Sequence, residues 1–310
     1  MDLSLLTNVK GRMVSMTHSI SLVIATKDRP NDLRTLFQSL CRQTIPPAEV
    51  VVVDASAQPV ESVVSEFPNL HVRYVRHLTP SAAAQRNAGI LACSSNTTLI
   101  GFADDDTTFE PRSFENMLAF WEGATSEVLG AAFNILNYPE RRSTILKRSK
   151  LAERLGLYSS RPGRVALSGW QSVIGQVAET QFVDWLPSTA VTFRREALTE
   201  HLFDHLFESY SYLEDLDLSY TIGRSGRLAV VATAGFCHFP SESGRVSAQQ
   251  FGRYEVRNRI YFVRKHGLSL SRCYLGLCIR TMMTLFNGLA GLNKALLARA
   301  RGNLAELASF

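Results

Sequence analysis

Short apolar runs and segments of helical periodicity alternate along the first 125 residues of the chain. The apolar runs are SISLVIAT (19–26), EVVVVDAS (49–56), HVRYVRH (71–77) and TTLIGFADDD (97–106). The second and fourth are continuous enough to be buried on both faces, whereas the third alternates like an outer strand. The helical segments are 32–42, 60–67, 81–93 and a fourth that begins at Pro111. Four strand–helix units predict an α/β domain with a Rossmann-like, mostly parallel sheet flanked by helices.

The pattern becomes less regular after residue 125. The predicted elements there are a strand over 126–137, a poorly periodic basic stretch over 138–182, a loop, strand and helix start over 184–198, a helix over 213–226 and a strand over 228–235. From Phe251 onward the spacing of apolar residues predicts a helical C-terminal extension. We therefore divide the chain into a lead-in of residues 1–18, which we expect to be flexible, two halves of the domain at 19–125 and 126–250, and the helical region 251–310.

Composition excludes several classes of protein. Apolar residues make up 45% of the 310 residues and charged residues 20%, which is ordinary for a soluble globular protein and excludes disorder, collagen and coiled coil. The five cysteines are scattered without a CxxC pair, so a disulfide scaffold is excluded and a zinc ribbon is not expected. This cysteine usage indicates a reducing compartment, which we take to be the cytoplasm.

The positive charge is concentrated at the C-terminal end. Residues 251–310 carry ten Lys or Arg and two Glu, a net charge of +8, whereas residues 1–250 sum to −3. A second basic run spans 141–164. Such regions favour anionic partners, namely phosphates, anionic lipids or nucleic acid, but no recognised nucleic-acid-binding module is present. We expect no nucleic-acid partner.

The apolar stretch over 268–300 leaves three interpretations open. Because no run of about 18 to 20 apolar, uncharged residues occurs, we expect no clean transmembrane helix; the N-terminus is not a convincing secretory signal either. Burying Arg280 at a bilayer centre would cost about 2.5 kcal/mol or more. The stretch is therefore predicted to lie on an anionic membrane surface, to pack internally, or to form a contact between two copies of the chain.

Polar residues follow three of the predicted strands. Asp104, Asp105 and Asp106 end the strand at 97–106, and three adjacent carboxylates repel one another unless a cation neutralises them. A hard divalent ion, Mg²⁺ or Mn²⁺, fits such oxygen ligands, although a solvated acidic turn before the helix at Pro111 is the alternative. Polar turns also follow the strands at Thr26 and Asp54. Together they predict a nucleotide pocket with its metal, without a P-loop or a dinucleotide-binding fingerprint.

Five segments in this order resemble the family 2 glycosyltransferases, which have the GT-A fold. They are residues 23–56, AAAQRNAGI (82–90), FADDD (102–106), WLPSTAVTFRREAL (185–198) and YLEDLDLSYTIGRSG (212–226). FADDD corresponds to the DxD motif of that family, through Asp104 and Asp106, and YLEDLDLS to its ED motif. One departure is VVVDAS, which has the single acid Asp54 where many members have two. The resemblance covers about residues 19–265.

The resemblance implies an inverting, metal-dependent enzyme that moves a sugar from a UDP- or dTDP-sugar to a hydroxyl group of a glycan or lipid-linked acceptor. It implies a nucleotide-sugar-binding half at 19–125 and an acceptor-binding, catalytic half at 126–250. The implied roles are general base for Asp215, nucleotide-sugar binding for Thr26, Asp54, Arg86, Asp104 and Asp105, acceptor-side contacts for Trp185 and Glu214, and metal binding for Asp106 and, as an alternative to a structural role, for His238. Asp217 is expected to serve the helix end.

Two other functions share this fold. A sugar-phosphate nucleotidyltransferase usually begins with a Gly-rich basic loop after its first strand, and ATKDRP is not such a loop. A non-catalytic nucleotide- or glycan-binding module would not need both the aspartate triplet and Asp215. Trp170 and Trp185 are each expected either to stack on a sugar ring or to pack in the core. Peripheral attachment to the inner face of the cell membrane and homo-oligomer formation remain open.

Overall fold

The computed structural model describes residues 6–9, 12–15, 17–138, 149–207, 211–241 and 246–310. Its strands are β1 (Leu6–Val9), β2 (Arg12–Ser15), β3 (Ile20–Thr26), β4 (Glu49–Asp54), β5 (Val72–Arg76), β6 (Leu99–Asp104), β7 (Thr107–Phe109), β8 (Val128–Ile135), β9 (Gln181–Val183), β10 (Ala190–Arg194) and β11 (Arg227–His238). Its helices are α1 (Pro30–Cys41), α2 (Glu61–Ser65), α3 (Ala82–Ala92), α4 (Ser113–Gly123), α5 (Lys150–Arg154), α6 (Arg195–Glu200), α7 (Glu214–Gly223), α8 (Ala248–Lys265), α9 (Leu270–Ala290) and α10 (Lys294–Leu307).

One large sheet organises the described part of the chain. Its strand order is β5-β4-β3-β6-β10-β8-β11-β7, and β9 also pairs with β11. The four strands β5, β4, β3 and β6 are parallel, as the strand–helix alternation predicts. Beyond β6 the sheet is mixed, because β10 runs antiparallel to both β6 and β8. The α/β architecture with a helical C-terminal extension is confirmed, and its parallel part is the first half of the sheet.

Apolar side chains cover both faces of this sheet. All six residues of β4 are buried, with Val51 and Val53 facing one core and Val50 and Val52 facing the other. The helices α3, α7 and α8 pack on the first face, and α1 and α4 on the second. The outer strand β5 is only partly buried, which is why its sequence alternates. This packing holds the carboxyl ends of the parallel strands at one edge.

The N-terminal segment, expected to be a flexible lead-in, contains the strands β1 and β2. Strands β1 and β2 pair antiparallel and form a two-stranded sheet of their own. The basic run predicted over 141–164 lies outside the described residues as far as residue 148, and its remainder contains α5. All five cysteines lie in the described part of the chain and are free thiols there.

The C-terminal region folds into three helices that pack on one another. Gly252 on α8 lies against the backbone of Arg299 on α10, where a Cβ atom would clash. The buried carboxylate of Glu255 accepts hydrogen bonds from Arg280, Arg299 and Asn303. Burial alone would raise the pKa of Glu255, but the two arginines outweigh it and lower this pKa to about 2. Arg280, whose side chain is 43% exposed, is thus paired with Glu255 of the neighbouring helix α8.

Helix α9 has one packed face and one exposed face. By length and composition it is the one helix in the described residues that can cross a membrane, with Arg280 inside it, and 33% of its most apolar window is buried. Cys273, Leu277 and Thr281 are buried against the protein. The opposite face exposes the apolar side chains of Leu275, Met282, Phe286 and Leu289. Helix α9 therefore packs on the protein with one side and exposes apolar side chains on the other.

Candidate active site

A cleft of about 590 Å³ opens at the carboxyl ends of β3 and β6. The cleft wall is formed by the loop after β3, the start of α3, the start of α7 and the end of β11. Its polar lining includes Thr26, Lys27, Arg29, Ser81, Gln85, Arg86, Asp104, Asp105, Asp106, Ser211, Glu214 and His238. Pockets of roughly 300 to 1,000 Å³ are typical of small-molecule sites. The cleft lies where ligands bind in open α/β sheets, beyond the carboxyl ends of the strands.

Two aspartates and a histidine converge in this cleft. Asp104 is the last residue of β6, and Asp105 and Asp106 form the turn that leads into β7. Because β7 pairs with β11 and places Thr107 opposite His238, the end of β11 is brought to this turn. One ligand atom from each of Asp104, Asp106 and His238 lies within 4.8 Å of the others. Carboxylate oxygens and an imidazole nitrogen at this spacing form a candidate cation site.

The surroundings of Asp106 favour its charged form. The Oδ1 atom lies 3.0 Å from Nε2 of His238, and Oδ2 accepts a hydrogen bond from the backbone N–H of Ser241 at 2.9 Å. Burial raises the pKa of this carboxyl, but these contacts outweigh it and lower the pKa below its ordinary value. Oδ1 is buried without a well-aligned hydrogen-bond donor. A buried carboxylate oxygen in this position is suited to bind a cation.

Asp105 points to another part of the cleft. Its Oδ2 accepts a hydrogen bond from the Thr26 hydroxyl at 2.7 Å, and its Oδ1 accepts one from Arg29 at 3.0 Å. Burial is the largest effect on its pKa and raises it to about 6, although both partners act in the opposite direction. The middle aspartate of the triplet thus connects the end of β6 to the end of β3.

Arg86 connects the aspartate triplet to the second acidic motif. From α3, its guanidinium donates one hydrogen bond to Asp104 at 2.8 Å and another to Glu214 at 3.0 Å. The side chain is only 5% exposed. Burial lowers the pKa of Arg86, but the neighbouring carboxylates raise it by more than this, so the net pKa is raised and the residue stays positively charged. A planar guanidinium can hold two carboxylates in this way, whereas a lysine ammonium cannot hold both with the same geometry.

Glu214 and Asp215 stand at the first turn of α7. The residue before them, Leu213, adopts a left-handed conformation with φ of 75°, which is rare for a leucine. The Asn258 side chain donates a hydrogen bond to the Tyr212 carbonyl at 2.8 Å and so fixes the chain next to this residue. Strained backbone of this kind concentrates at functional sites. Glu214 lines the cleft, whereas Asp215, the next residue in the chain, is partly exposed and is not among the lining residues.

The pKa of Asp215 is far from that of an ordinary aspartate. Desolvation by the surrounding protein is the largest cause, and repulsion from Glu214 adds to it. The Leu216 N–H and the positive charge of Arg86 oppose these effects but leave the pKa at about 7. Asp215 is therefore a stronger base than an ordinary aspartate, whose pKa is about 3.9.

Asp217 has a structural environment. Its buried carboxylate lies 2.6 Å from Nζ of Lys265 and 2.9 Å from Nε2 of His266. Lys265 also reaches Asp204 at 2.8 Å. These contacts attach α7 to the end of α8, on the side away from the cleft lining. The carboxylate of Asp217 thus joins α7 to α8, whereas the N-cap residue of α7, Leu213, makes no side-chain hydrogen bond that caps the helix.

Three predicted site residues lie outside the cleft lining, namely Asp215, Asp54 and Trp185. Asp54 is fully buried, and its carboxylate accepts hydrogen bonds from the backbone N–H groups of Ser56 and Val60 and from the hydroxyl of Tyr74. Burial raises the pKa of Asp54, but these donors lower it below the ordinary value. Trp185 is 9% exposed and donates its indole N–H to the Ser172 carbonyl at 3.1 Å. Asp54 thus organises its loop behind the cleft, and its contact with a nucleoside stays a prediction.

Several cleft residues are not identified as site residues from the sequence. Arg29 lies in the predicted polar turn after β3, yet only the structure shows its contacts with Asp105 and Asp106 at 3.0 and 3.5 Å. The Gln85 amide donates hydrogen bonds to the carbonyls of Thr26 and Val53 and so ties two strand ends to α3. The available sequence signal was the polar turn alone.

Trp170 lies under Arg259 and Arg280 and packs with the C-terminal helices.

Comparisons with known sequences agree with the resemblance. The sequence profile of the family described as "Glycosyl transferase family 2" matches residues 21–174. The uncharacterized glycosyltransferase YwdF of Bacillus subtilis is 29% identical over 142 residues, which are 46% of this chain and 50% of YwdF. The putative glycosyltransferase EpsH of Bacillus subtilis is 30% identical over 105 residues, 33% of this chain and 30% of EpsH. The chain thus spans half or less of the length of these curated relatives.

Solved structures share the fold. Residues 1–349 of TarS from S. aureus superpose with a TM-score of 0.58 at 16% identity, covering 93% of this chain and 80% of that one. The same TarS fragment in complex with UDP-GlcNAc gives a TM-score of 0.52 at 15% identity, covering 94% of this chain and 91% of that one. At this level of identity the likeness shows the fold alone.

Proposed function

Because the chain belongs to glycosyl transferase family 2, we propose that it transfers a sugar from a nucleoside-diphosphate sugar to a hydroxyl group of a glycan or lipid-linked acceptor, with inversion at the anomeric carbon. In this proposal residues 19–125 bind the nucleotide sugar and residues 126–250 bind the acceptor and supply the base. The donor is a UDP- or dTDP-sugar, and support for UDP comes from the TarS complexes with UDP-GlcNAc and UDP.

The convergence of Asp104, Asp106 and His238 is the observation that carries the proposal. The buried Oδ1 of Asp106, which lacks a well-aligned donor, fits a cation ligand. The oxygen and nitrogen donor set suits Mn²⁺, and Mg²⁺ is the alternative because it prefers oxygen ligands. When bound, such an ion neutralises the negative charge that develops on the leaving diphosphate.

The side chains around this cluster divide the remaining tasks. Asp215 accepts the proton of the attacking hydroxyl, and a pKa of about 7 leaves a substantial basic fraction at neutral pH while giving strong proton affinity. Arg86 holds Glu214 and Asp104 in fixed positions on the two sides of the cleft. Thr26, Asp105 and Arg29 line the end of the cleft assigned to the nucleotide. Glu214 contacts the acceptor or the transferred sugar from the opposite wall.

Peripheral membrane attachment is part of the proposal. The C-terminal region 251–310 carries a net charge of +8, and α9 exposes four large apolar side chains on its outer face. An apolar helix face beside basic residues binds anionic lipid at the interface without spanning the bilayer. Such attachment would keep the enzyme at the inner face of the membrane that holds a lipid-linked acceptor. A second copy of the chain is the competing occupant of this face.

A screen of nucleotide sugars tests the activity. Each UDP- and dTDP-sugar would be added with Mn²⁺, with Mg²⁺ and with EDTA, and both the melting temperature and the release of the nucleoside diphosphate would be measured. A cognate donor at a hundredfold excess over its Kd stabilises the folded state by about 2.7 kcal/mol. If no donor stabilises the protein or is turned over, the proposal is wrong. A donor that binds without hydrolysis or transfer, across a panel of acceptors, would favour the non-catalytic module.

A further inference from the structure

A second cavity lies next to the cleft, on the acceptor half of the sheet. Its volume is about 210 Å³, and its wall is mostly apolar, including Phe133, Val173, Ile174, Trp185 and Phe236. An apolar cavity of about 150 Å³ is large enough to hold benzene. This cavity therefore has room for an aromatic ring or a short branched alkyl group.

The walls of the cavity are held in place by polar contacts. Asn134 on β8 exchanges two hydrogen bonds of 2.9 Å with the backbone of Val177, which fixes the segment that carries Val173 over the sheet. The indole N–H of Trp185 is bound to the Ser172 carbonyl at 3.1 Å. Gly175 lines the cavity in the left-handed region with φ of 69°, and a Cβ atom there would contact the ring of Tyr138 at 3.9 Å. The cavity is thus a built feature of this half of the domain.

His238 joins the cavity to the cleft. Its side chain lines both, and its Nε2 atom lies 3.0 Å from Asp106. The end of the cleft that contains Thr26 and Gln85 lies across the aspartate triplet, on β3 and α3. A group in the apolar cavity is therefore one side chain away from the candidate cation site and on the side opposite the proposed nucleotide.

We propose that this cavity binds an apolar group of the acceptor, an aryl, alkyl or prenyl aglycone attached close to the hydroxyl that receives the sugar. The inference rests on the proposed function and specifies its acceptor class. Burial of apolar surface in a preformed, mostly apolar cavity supplies the affinity, and continuity with the cleft through His238 supplies the orientation.

Binding of fluorobenzene, followed by ¹⁹F NMR, tests the cavity without any knowledge of the sugars. Val173 is 39% exposed at the cavity wall, so Val173→Asn adds a polar group with little risk to folding. Leu91→Asn, at an exposed apolar residue on α3, is the matched control. We expect saturable binding that Val173→Asn weakens at least fivefold and Leu91→Asn leaves unchanged. Absence of saturable binding, or equal binding by both variants, would overturn the inference.

Transfer assays with the donor found in the screen test the acceptor assignment. Phenyl and methyl glycosides of the same sugar would be compared as acceptors, and we expect kcat/KM for the phenyl compound to be at least tenfold higher. Val173→Asn should reduce this ratio towards one, while Leu91→Asn should preserve it. Equal use of the two glycosides by the wild-type enzyme overturns the inference and leaves the proposed function intact. A higher donor KM in Val173→Asn with an unchanged ratio would place the donor in the cavity and would also overturn it.

Discussion

The guanidinium of Arg86 lies 3.0 Å from the carboxylate of Glu214, although the two residues are 128 positions apart in the chain. Its other terminal nitrogen lies 2.8 Å from Asp104. One buried cation therefore joins the helix after β5, the end of β6 and the start of α7. In consequence, Asp104 and Glu214 share the charge of Arg86, and a change in one of these carboxylates is expected to affect the other.

We expect the Arg86–Glu214 pair to be strongly coupled in stability. Removing one partner of a buried ion pair costs about 3–5 kcal/mol, because the other charge stays buried and unpaired. Arg86→Met and Glu214→Gln should each lower the stability to unfolding by urea, and the double variant should lose less than the sum, with a coupling of about 1–3 kcal/mol.

The exposed pair Arg112 and Glu115, 2.9 Å apart, is the control for this cycle. Its arginine side chain is 64% exposed, so solvent screens the pair and its coupling should be much smaller than that of Arg86 and Glu214. Additive effects at Arg86 and Glu214, similar to those of the exposed pair, would contradict the proposed bridge.

Asp215 should give the enzyme a rise in kcat/KM with pH. The basic form is required, and burial and Glu214 raise the pKa of Asp215 to about 7, so activity should be low at pH 5, reach half its maximum near pH 7 and level off about one pH unit above that. Asp215→Asn should lower turnover about 10²-fold or more and remove this rise. Donor affinity should persist, since the proposed nucleotide contacts lie on β3 and β6.

Asp215→Asn is expected to lower turnover but not to lower the stability of the folded state. An acid with a raised pKa in the folded state lowers folding stability as the pH rises from its ordinary value of 3.8 towards about 7. Asp215→Asn should therefore melt at the same or a higher temperature than the wild type at pH 8. Asp217→Asn is the comparison, because it leaves Lys265 and His266 without their shared carboxylate and should lower the melting temperature while sparing turnover. Near-normal turnover in folded Asp215→Asn would exclude Asp215 as the base.

Metal dependence should reside in Asp106 and His238. Asp106→Ala should abolish transfer and most Mn²⁺-dependent donor binding. His238→Ala should weaken Mn²⁺-dependent donor binding. Donor binding would be measured by calorimetry with Mn²⁺ and with EDTA. Glu61→Ala, at an exposed acid on α2, should match the wild type. If donor affinity is unaffected by EDTA and by Asp106→Ala, no metal contributes to donor binding.

Vesicle flotation should detect attachment through α9. The wild type should float with anionic vesicles at low salt and progressively less as salt is added, with about 1 kcal/mol contributed by each Lys or Arg near the surface. The double variant Met282→Glu/Phe286→Glu, on the exposed apolar face, should reduce binding at least tenfold, and Leu91→Glu on α3 should not. A mass that doubles with concentration in light scattering, without flotation, would assign the face to a second copy of the chain.

The sequence by itself determined the α/β architecture and the family. The continuous apolar runs at β4 and β6 predict strands that are buried on both faces of a parallel sheet. The polar residues that follow these strands then meet at the same edge of the sheet. The aspartate triplet was therefore identifiable as a cleft group from the sequence pattern, whereas Glu214 and Asp215 were assigned only through the resemblance to the family 2 glycosyltransferases. Local periodicity also placed most strands and helices close to their observed bounds.

Only the tertiary structure decided which charged groups are neighbours and what they do. The antiparallel strand β10, the β7–β11 pairing that delivers His238, and the Arg86 bridge all join residues distant in sequence, and no local pattern encodes such pairings. The same holds for Arg280, whose partner Glu255 lies on another helix. A pKa near 7 for Asp215 likewise arises from desolvation and neighbouring charges. Desolvation and neighbouring charges depend on how the chain packs. The ED motif therefore identified Asp215 but could not give its pKa.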